Sequence, residues 1–279
     1  MPDQHRGAAH GAISGLSLDQ SFFDGALSLR IGKQDANDLF VLSEVALAFL
    51  HSSAGYPPNN PMPSYPEQDL GAALELKPVA WLRARLGVFQ AEPDGRRSPR
   101  QLARQTRVPF LIGELTWKLT VFGRSGAVTA GAWYSDLRTP DLSEAGSPER
   151  RGLAGLYLIM DQSLWRGAGE TPPEVLAFGQ LGLADPDRSE APLYVGFGLL
   201  ARRVVPKRPE DELGAALYLL RFSRFTDTER SEEATVELFY RARLLGSLTL
   251  TPDLQLIHAP GGRDEPMSVA VGARATLSF

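Results

Sequence analysis

Cysteine is absent from the 279 residues, so there is neither a disulfide framework nor a thiolate site. No run approaches the roughly 20 apolar residues of a membrane-crossing helix. A basic excess is also missing: 29 Lys and Arg stand against 33 Asp and Glu, a formal charge of −4, which speaks against nucleic acid as a partner. The four histidines (His5, His10, His51 and His258) are scattered without metal-ligand spacing, and no phosphate-cradling glycine loop appears. No Ser-His-acid spacing is visible either, which makes an enzyme the least favoured class. The start, M-P-D-Q-H-R-G-A-A-H-G, carries a basic residue but no apolar core of a signal peptide, and residues 1–11 read as a disordered polar lead. Mean hydropathy of −0.16 looks soluble. It does not exclude a membrane barrel, in which lipid-facing and lumen-facing residues alternate and cancel in any average.

What is present is a period of two. In Met267–Phe279, Val269, Val271, Ala273, Ala275, Leu277 and Phe279 share one parity, and Ser268, Gly272, Arg274 and Thr276 the other. This is a strand with one apolar and one small or polar face, near the roughly 9–11 residues of a tilted bilayer crossing. The same alternation recurs upstream. The candidates are Ala12–Phe22, Gly25–Gly32, Leu70–Lys77, Val79–Gln90, Phe110–Phe122, Ala127–Leu137, Gly152–Trp165, Val175–Ala184, Leu193–Arg203, Leu213–Ser223, Ala234–Leu244 and Leu248–His258. With the last strand they make about thirteen.

The 27 glycines and 21 prolines fall mostly between these runs. Short turns are expected at Asp24-Gly25, Pro78, Arg124–Gly126 and Leu245–Ser247, and long loops at 33–69, 91–109, 138–150 and 259–266. Short and long linkers alternate, as in an up-and-down outer-membrane barrel with short periplasmic turns and long external loops. Phe22, Phe23, Trp81, Phe122, Trp165 and Phe279 cluster at the short-turn ends, and Phe89 and Tyr134 towards the other, as aromatic girdles would. In the 33–69 interruption, Leu39, Leu42, Ala46 and Phe49 have helical spacing, with Asp35 or Asn37 as N-cap. Its second half is too proline-rich for helix or paired strand.

Five stretches resemble the carbohydrate-selective porin family, OprB. They are L-S-L-R-I-G-K-Q-D-A-N-D-L-F (Leu27–Phe40), F-L-H-S-S-A-G-Y-P-P (Phe49–Pro58), Y-P-E-Q-D-L-G-A-A-L (Tyr65–Leu74), G-L-Y-L-I-M-D-Q-S-L-W-R (Gly155–Arg166) and L-T-P-D-L-Q-L-I-H-A-P-G-G (Leu250–Gly262). The resemblance implies an all-β, antiparallel transmembrane barrel of about 16 strands, over residues 12–279. It also implies a bacterial outer-membrane location and diffusion of glucose and similar neutral sugars, with no cofactor or metal. By analogy with porins, outer-membrane lipid, the barrel-assembly machinery (through the strand ending at Phe279) and a homotrimer are expected partners. Set against that pattern, about three N-terminal strands are missing, and the export signal lies outside the sequence given. Restoring them makes 33–69 the loop after the fifth strand, which folds inward in general porins and narrows the pore.

Strand parity nominates Arg30, Glu75, Arg83, Arg85, Glu114 and Lys118 as lumen residues beside that loop, and the loop itself offers Asp35, Asp38, Glu44 and His51. Sugars are neutral, so such groups would act as hydrogen-bond donors and acceptors to hydroxyls. Glu237, Arg241, Arg243 and Arg274 are inward by parity but further along the wall, where pairing across strands is the expectation. Two further readings stand beside the sugar pore. The excess of Arg and Lys among the inward charges suits a non-selective or anion-favouring pore. The missing strands suit a non-transporting remnant.

Overall fold

The computed structural model describes residues 15–65, 68–90 and 109–278. The polar lead, the first residues of the Ala12–Phe22 candidate, the arginine-rich 92–108 segment and Phe279 lie outside them. Thirteen strands form one sheet in which every strand pairs antiparallel with its sequence neighbours. They are β1 (Leu16–Phe22), β2 (Leu27–Gln34), β3 (Asp69–Val79), β4 (Leu82–Gln90), β5 (Pro109–Val121), β6 (Arg124–Pro140) and β7 (Glu149–Arg166). They continue as β8 (Glu174–Ala184), β9 (Leu193–Arg202), β10 (Glu212–Arg221), β11 (Glu232–Arg243), β12 (Leu248–His258) and β13 (Ser268–Leu277). The architecture is the up-and-down barrel type. Within the described residues no ladder joins β1 to β13, which end the strand order. No described helix is long and apolar enough to cross a membrane, which is silent about strands.

The alternation separates two faces. On one, Leu74, Leu86, Leu115, Leu158, Phe197, Leu217 and Val271 stand exposed. An apolar belt of this breadth suits hydrocarbon and would be costly in water. The other face carries the buried side chains, but among the described residues no second sheet covers it. Its cover is the segment between β2 and β3, which supplies Phe40, Val41 and Met62 to one core with Phe89, Phe110, Trp133 and Tyr157. The same segment gives Val45, Ala46, Phe49 and Ala54 to a second core with Phe178, Tyr194, Tyr218 and Phe239.

Three local expectations are corrected. Pro78 lies inside β3 rather than ending it. The register shifts between Leu76 and Val79, so its missing N–H falls at an irregularity, and the turn is Ala80-Trp81. The β5–β6 turn is Phe122-Gly123, at φ +50° and +73°, with Arg124 already paired to Val121. Two left-handed residues give the twist a tight hairpin needs, and the glycine at 123 supplies it two residues earlier than Arg124–Gly126. The helix expected over residues 39–49 is replaced by 3-10 turns at Ala36–Asp38 and Ala46–Ala48 and one α-turn at Ser52–Gly55. Asp35 caps the first, accepting from Asn37 N at 2.8 Å. Leu39, Phe40 and Val41 serve one core and Val45, Ala46 and Phe49 the other, so the chain must stretch across the wall where a helix would keep them together.

Large rings on the covered face lie flat over glycines of the adjoining strand. A Cβ on Gly214 would meet Phe239 Cε1 at 2.1 Å, and one on Gly131 would meet Tyr157 Cζ at 2.1 Å. Gly272, by contrast, has nothing within 4 Å. Gly214→Ala should therefore destabilise the fold by about 1–3 kcal/mol. Gly272→Ala should stay within about 0.5 kcal/mol of the parent. Thermal unfolding in detergent, followed by circular dichroism, compares the two. Equal midpoints would refute the ring-over-glycine account.

Candidate lumen site

The site is the interface between residues 35–65 and the wall behind them. Near its start Asp35 ties both ends of the segment, accepting from Asn37 N and, at 2.9 Å, from Tyr65 N. Three wall carboxylates then take backbone N–H groups from the segment in succession. Glu114 on β5 accepts from Val41 N at 3.0 Å and from Tyr157 Oη at 2.8 Å. Asp161 on β7 accepts from Ser43 Oγ at 2.5 Å and Glu44 N at 2.8 Å. Glu237 on β11 is fully buried and accepts from Leu50 N at 2.6 Å, His51 N at 3.3 Å and Tyr218 Oη at 2.9 Å.

Wall donors complete the attachment on carbonyls of the same segment. Arg85 donates to Leu39 O. Arg241 Nη2 reaches Ala48 O at 2.6 Å, Tyr194 Oη reaches Ser53 O at 2.7 Å, and Gln180 Nε2 reaches Ala54 O at 2.9 Å. Between these bonds the rings pack. Phe40 meets Phe89 edge-on at 5.9 Å, and Phe49 sits between Phe178 at 5.2 Å and Phe239 at 5.0 Å. The segment is fixed to the wall along its length.

The remaining inward charges form ladders across directly opposed strand positions. Arg85 bridges Glu75 on β3, at 2.6 Å, and Glu114 on β5, at 3.2 Å. Arg30 pairs with Asp19 at 2.5 Å. Further round, Glu174, Arg202, Glu212 and Arg241 alternate in sign over β8 to β11, with Arg202 Nε 2.9 Å from Glu212. Cross-strand pairs of opposite sign stabilise a sheet modestly, by roughly 0.2–1 kcal/mol each.

The ten sequence candidates thus fall into different positions. Arg30, Glu75, Arg83, Arg85, Glu114 and Lys118 share the face that the 35–65 segment covers. Arg85 and Glu114 are committed to holding that segment. His51 does not face open space: its ring stacks on Tyr218 at 4.6 Å, and its Nδ1 accepts from Ser53 N at 3.3 Å. Asp38 and Glu44 are exposed on the segment. A cavity of about 440 Å³ beneath it is lined by Glu44, Arg83, Thr116, Lys118, Thr129 and Gln162, among others. Among the described residues no group of three or more His, Asp or Glu could hold a metal ion.

The sequence reading missed the roles of Asp161, Tyr157, Tyr194, Tyr218 and Gln180, and set Glu237 and Arg241 apart from the loop. Parity gave their face. Nothing local signals a bond to a backbone more than a hundred residues away.

Two loop groups are shifted in their ionisation. Partial desolvation against the wall lifts the carboxyl of the otherwise exposed Asp38 above its ordinary range, assisted by the neighbouring Asp35 and opposed by Arg30. Burial lowers the His51 imidazole below its ordinary 6.5, against the pull of Glu233 and Asp253. The folded state therefore prefers neutral His51, whose Nδ1 holds the Ser53 amide. That contribution is complete above pH 6.5 and is lost as pH falls towards the lowered folded value. The protection factor of the Ser53 amide, corrected for intrinsic exchange, should accordingly fall below that pH. A flat profile would refute the linkage.

Glu237→Ala removes the acceptor from two buried amides and a phenol, each costing about 1–3 kcal/mol when left unpaired. Leu50 and His51 should exchange amide hydrogen at least about tenfold faster, while β5–β7 amides change little. Unaltered protection at Leu50 and His51 would show that the apolar packing alone holds the segment.

Comparison with known proteins gives one consistent answer. The chain is 21% identical to porin B of Pseudomonas aeruginosa over 91% of its own length and 64% of that protein's, under two thirds of the relative. The Pseudomonas putida OprB structure determined at high pH superposes with a TM-score of 0.78 at 19% identity, covering 92% of this chain and 70% of that one. The low-pH structure of the same protein gives 0.60 at 16% identity, covering 93% and 65%. These likenesses agree on the fold. Residues 8–279 match the sequence profile described as carbohydrate-selective porin, OprB family, and the chain belongs to that family.

Proposed function

We propose that this protein is an outer-membrane porin through which small neutral sugars, glucose among them, diffuse along a lumen narrowed by residues 35–65. It is a channel and not an enzyme. The observation that carries the reading is the attachment of the 35–65 segment: one connection lies across the polar face of the sheet, and Glu114, Asp161 and Glu237 hold its backbone in place. A connection fixed in this way acts as a size filter, because its position does not yield to a passing solute. The opposite, apolar face supports contact with outer-membrane lipid. Insertion by the barrel-assembly machinery through the last strand, and assembly as a homotrimer, belong to the same proposal.

Within it, Arg83 and Lys118 line the path from the wall and Asp38 and Glu44 from the segment, while Arg30 and Glu75 face it from within ion-pair ladders. They offer donors and acceptors that replace water on sugar hydroxyls. Arg85, Glu114, Asp35 and His51 act one step back by fixing the segment's shape.

Liposomes containing the purified protein should swell in isosmotic glucose faster than protein-free liposomes, and more slowly in a disaccharide. In Glu114→Ala/Glu237→Ala the disaccharide-to-glucose ratio should rise severalfold. Absence of glucose-driven swelling would overturn the porin reading. An unchanged ratio would overturn the filter role of the segment.

A further inference from the structure

We infer that the cavity beneath the 35–65 segment binds the anionic group of an acidic sugar, a carboxylate or a phosphate, between Arg83 and Lys118. The inference rests on the sugar-pore reading and narrows its substrate class.

It starts from an imbalance on the inward face of β3 to β5. Beside the cavity two carboxylates, Glu75 and Glu114, face four cations, Lys77, Arg83, Arg85 and Lys118. A third inward carboxylate, Asp69, lies at the far end of β3, opposite Gln34. Glu75 is divided among Lys77 Nζ at 2.5 Å, Arg85 Nε at 2.6 Å and Arg83 Nε at 3.8 Å. The remaining carboxylate, Glu114, pairs with Arg85 at 3.2 Å and spends its other oxygen on Val41 N and Tyr157 Oη. Arg83 is thus left with the longest of these contacts, and the ammonium of the exposed Lys118 has no ion-pair or hydrogen-bond partner among the described residues. Both line the same cavity of about 440 Å³, within the roughly 300–1,000 Å³ usual for small-molecule sites.

Among the described residues, no acid lining this cavity forms an ion pair with Arg83 or Lys118. The oxygens of Asp161 are occupied by Ser43 Oγ and Glu44 N. Arg202, which also reaches the cavity, is offset by Glu212 at 2.9 Å. Glu44 remains as an exposed carboxylate on the segment side, leaving two open cations against one open acid. Thr116 and Thr129, whose hydroxyls lie 2.9 Å apart, keep one hydroxyl proton between them for a sugar oxygen. A solute with an anionic end towards Arg83 and Lys118 and hydroxyls towards Glu44 and the threonines satisfies every open group. A neutral hexose leaves Lys118 without an ion-pair partner among the described residues and Arg83 with only its 3.8 Å contact to Glu75.

The test is current block in planar bilayers containing the full chain, comparing glucose, gluconate and glucose 6-phosphate, with reversal potentials in a potassium chloride gradient. We expect half-block by at least one of the two acids at about tenfold lower concentration than by glucose. In Arg83→Gln/Lys118→Gln that ratio should fall to near one, whatever the absolute conductance, and Lys118→Arg should keep it. The two acids separate carboxylate from phosphate as the preferred group.

Half-block at equal concentrations by all three solutes would overturn the inference while leaving the sugar pore intact. So would chloride selectivity without any preference for the acids, which describes a plain anion pore. A ratio that survives the double substitution would overturn the assignment to Arg83 and Lys118. Failure of glucose and both acids to affect the current would overturn the underlying sugar-pore reading instead.

Discussion

The structure depends on how a stretch of irregular backbone is held against the inside of a sheet. Residues 35–65 form no strand, so their amides and carbonyls have no ladder to join, and much of the stretch is buried. An unpaired buried backbone group costs free energy comparable to a lost hydrogen bond. Wall side chains provide the partners. Carboxylates of β5, β7 and β11 meet N–H groups, while Arg85, Arg241, Tyr194 and Gln180 meet carbonyls. A carboxyl oxygen can accept more than one such bond, as Glu114 Oε2 does from Val41 N and Tyr157 Oη. Few residues therefore fix a long segment.

Burying those carboxylates needs its own explanation, since an isolated buried charge is strongly unfavourable. Glu114 is neutralised by Arg85, which is in turn held by Glu75. Among the described residues, Glu237 has no cation at ion-pairing distance. Its solvation comes from two amides and the Tyr218 hydroxyl, while the nearby Arg241 is engaged by Glu212. The two anchors thus reach similar geometry by different means, one through an ion-pair ladder and one through oriented dipoles. Around them, Phe178, Tyr218 and Phe239 exclude water from Glu237, which strengthens each of its bonds.

This division explains what could be read from the sequence. Strand alternation is a local property, and the thirteen strands and their two faces follow from it. The alternation of linker length holds before β7 and after β11 but not between them, where residues 167–173, 185–192, 203–211 and 222–231 form connections of similar length. Turns are nearly as local, yet at Phe122-Gly123 and Pro78 the strand ladder moves the turn by two residues. The attachment of the inward segment is not local. Glu237 and Glu75 both point inward by parity, and only the fold decides that one is buried against Leu50 while the other meets cations. The same holds for Leu39, Leu42, Ala46 and Phe49, whose spacing imitates a helix. Two separate cores on the wall draw the chain apart, and packing prevails over periodicity.

A diffusion pore must also let its solute go. Groups locked in ladders, such as Arg85 or Arg202, cannot turn towards a passing molecule without breaking existing bonds, so they add little to binding and mainly fix the wall. Lys118, Arg83 and Glu44 are free or weakly held, and they meet solutes at small cost because no strong bond has to be broken first. A few such groups beside a fixed segment bind weakly enough to release and strongly enough to discriminate, the balance that conduction requires. On the pore reading proposed above, selectivity resides in the charges the ladders leave over, whereas the shape of the wall resides in the charges they consume.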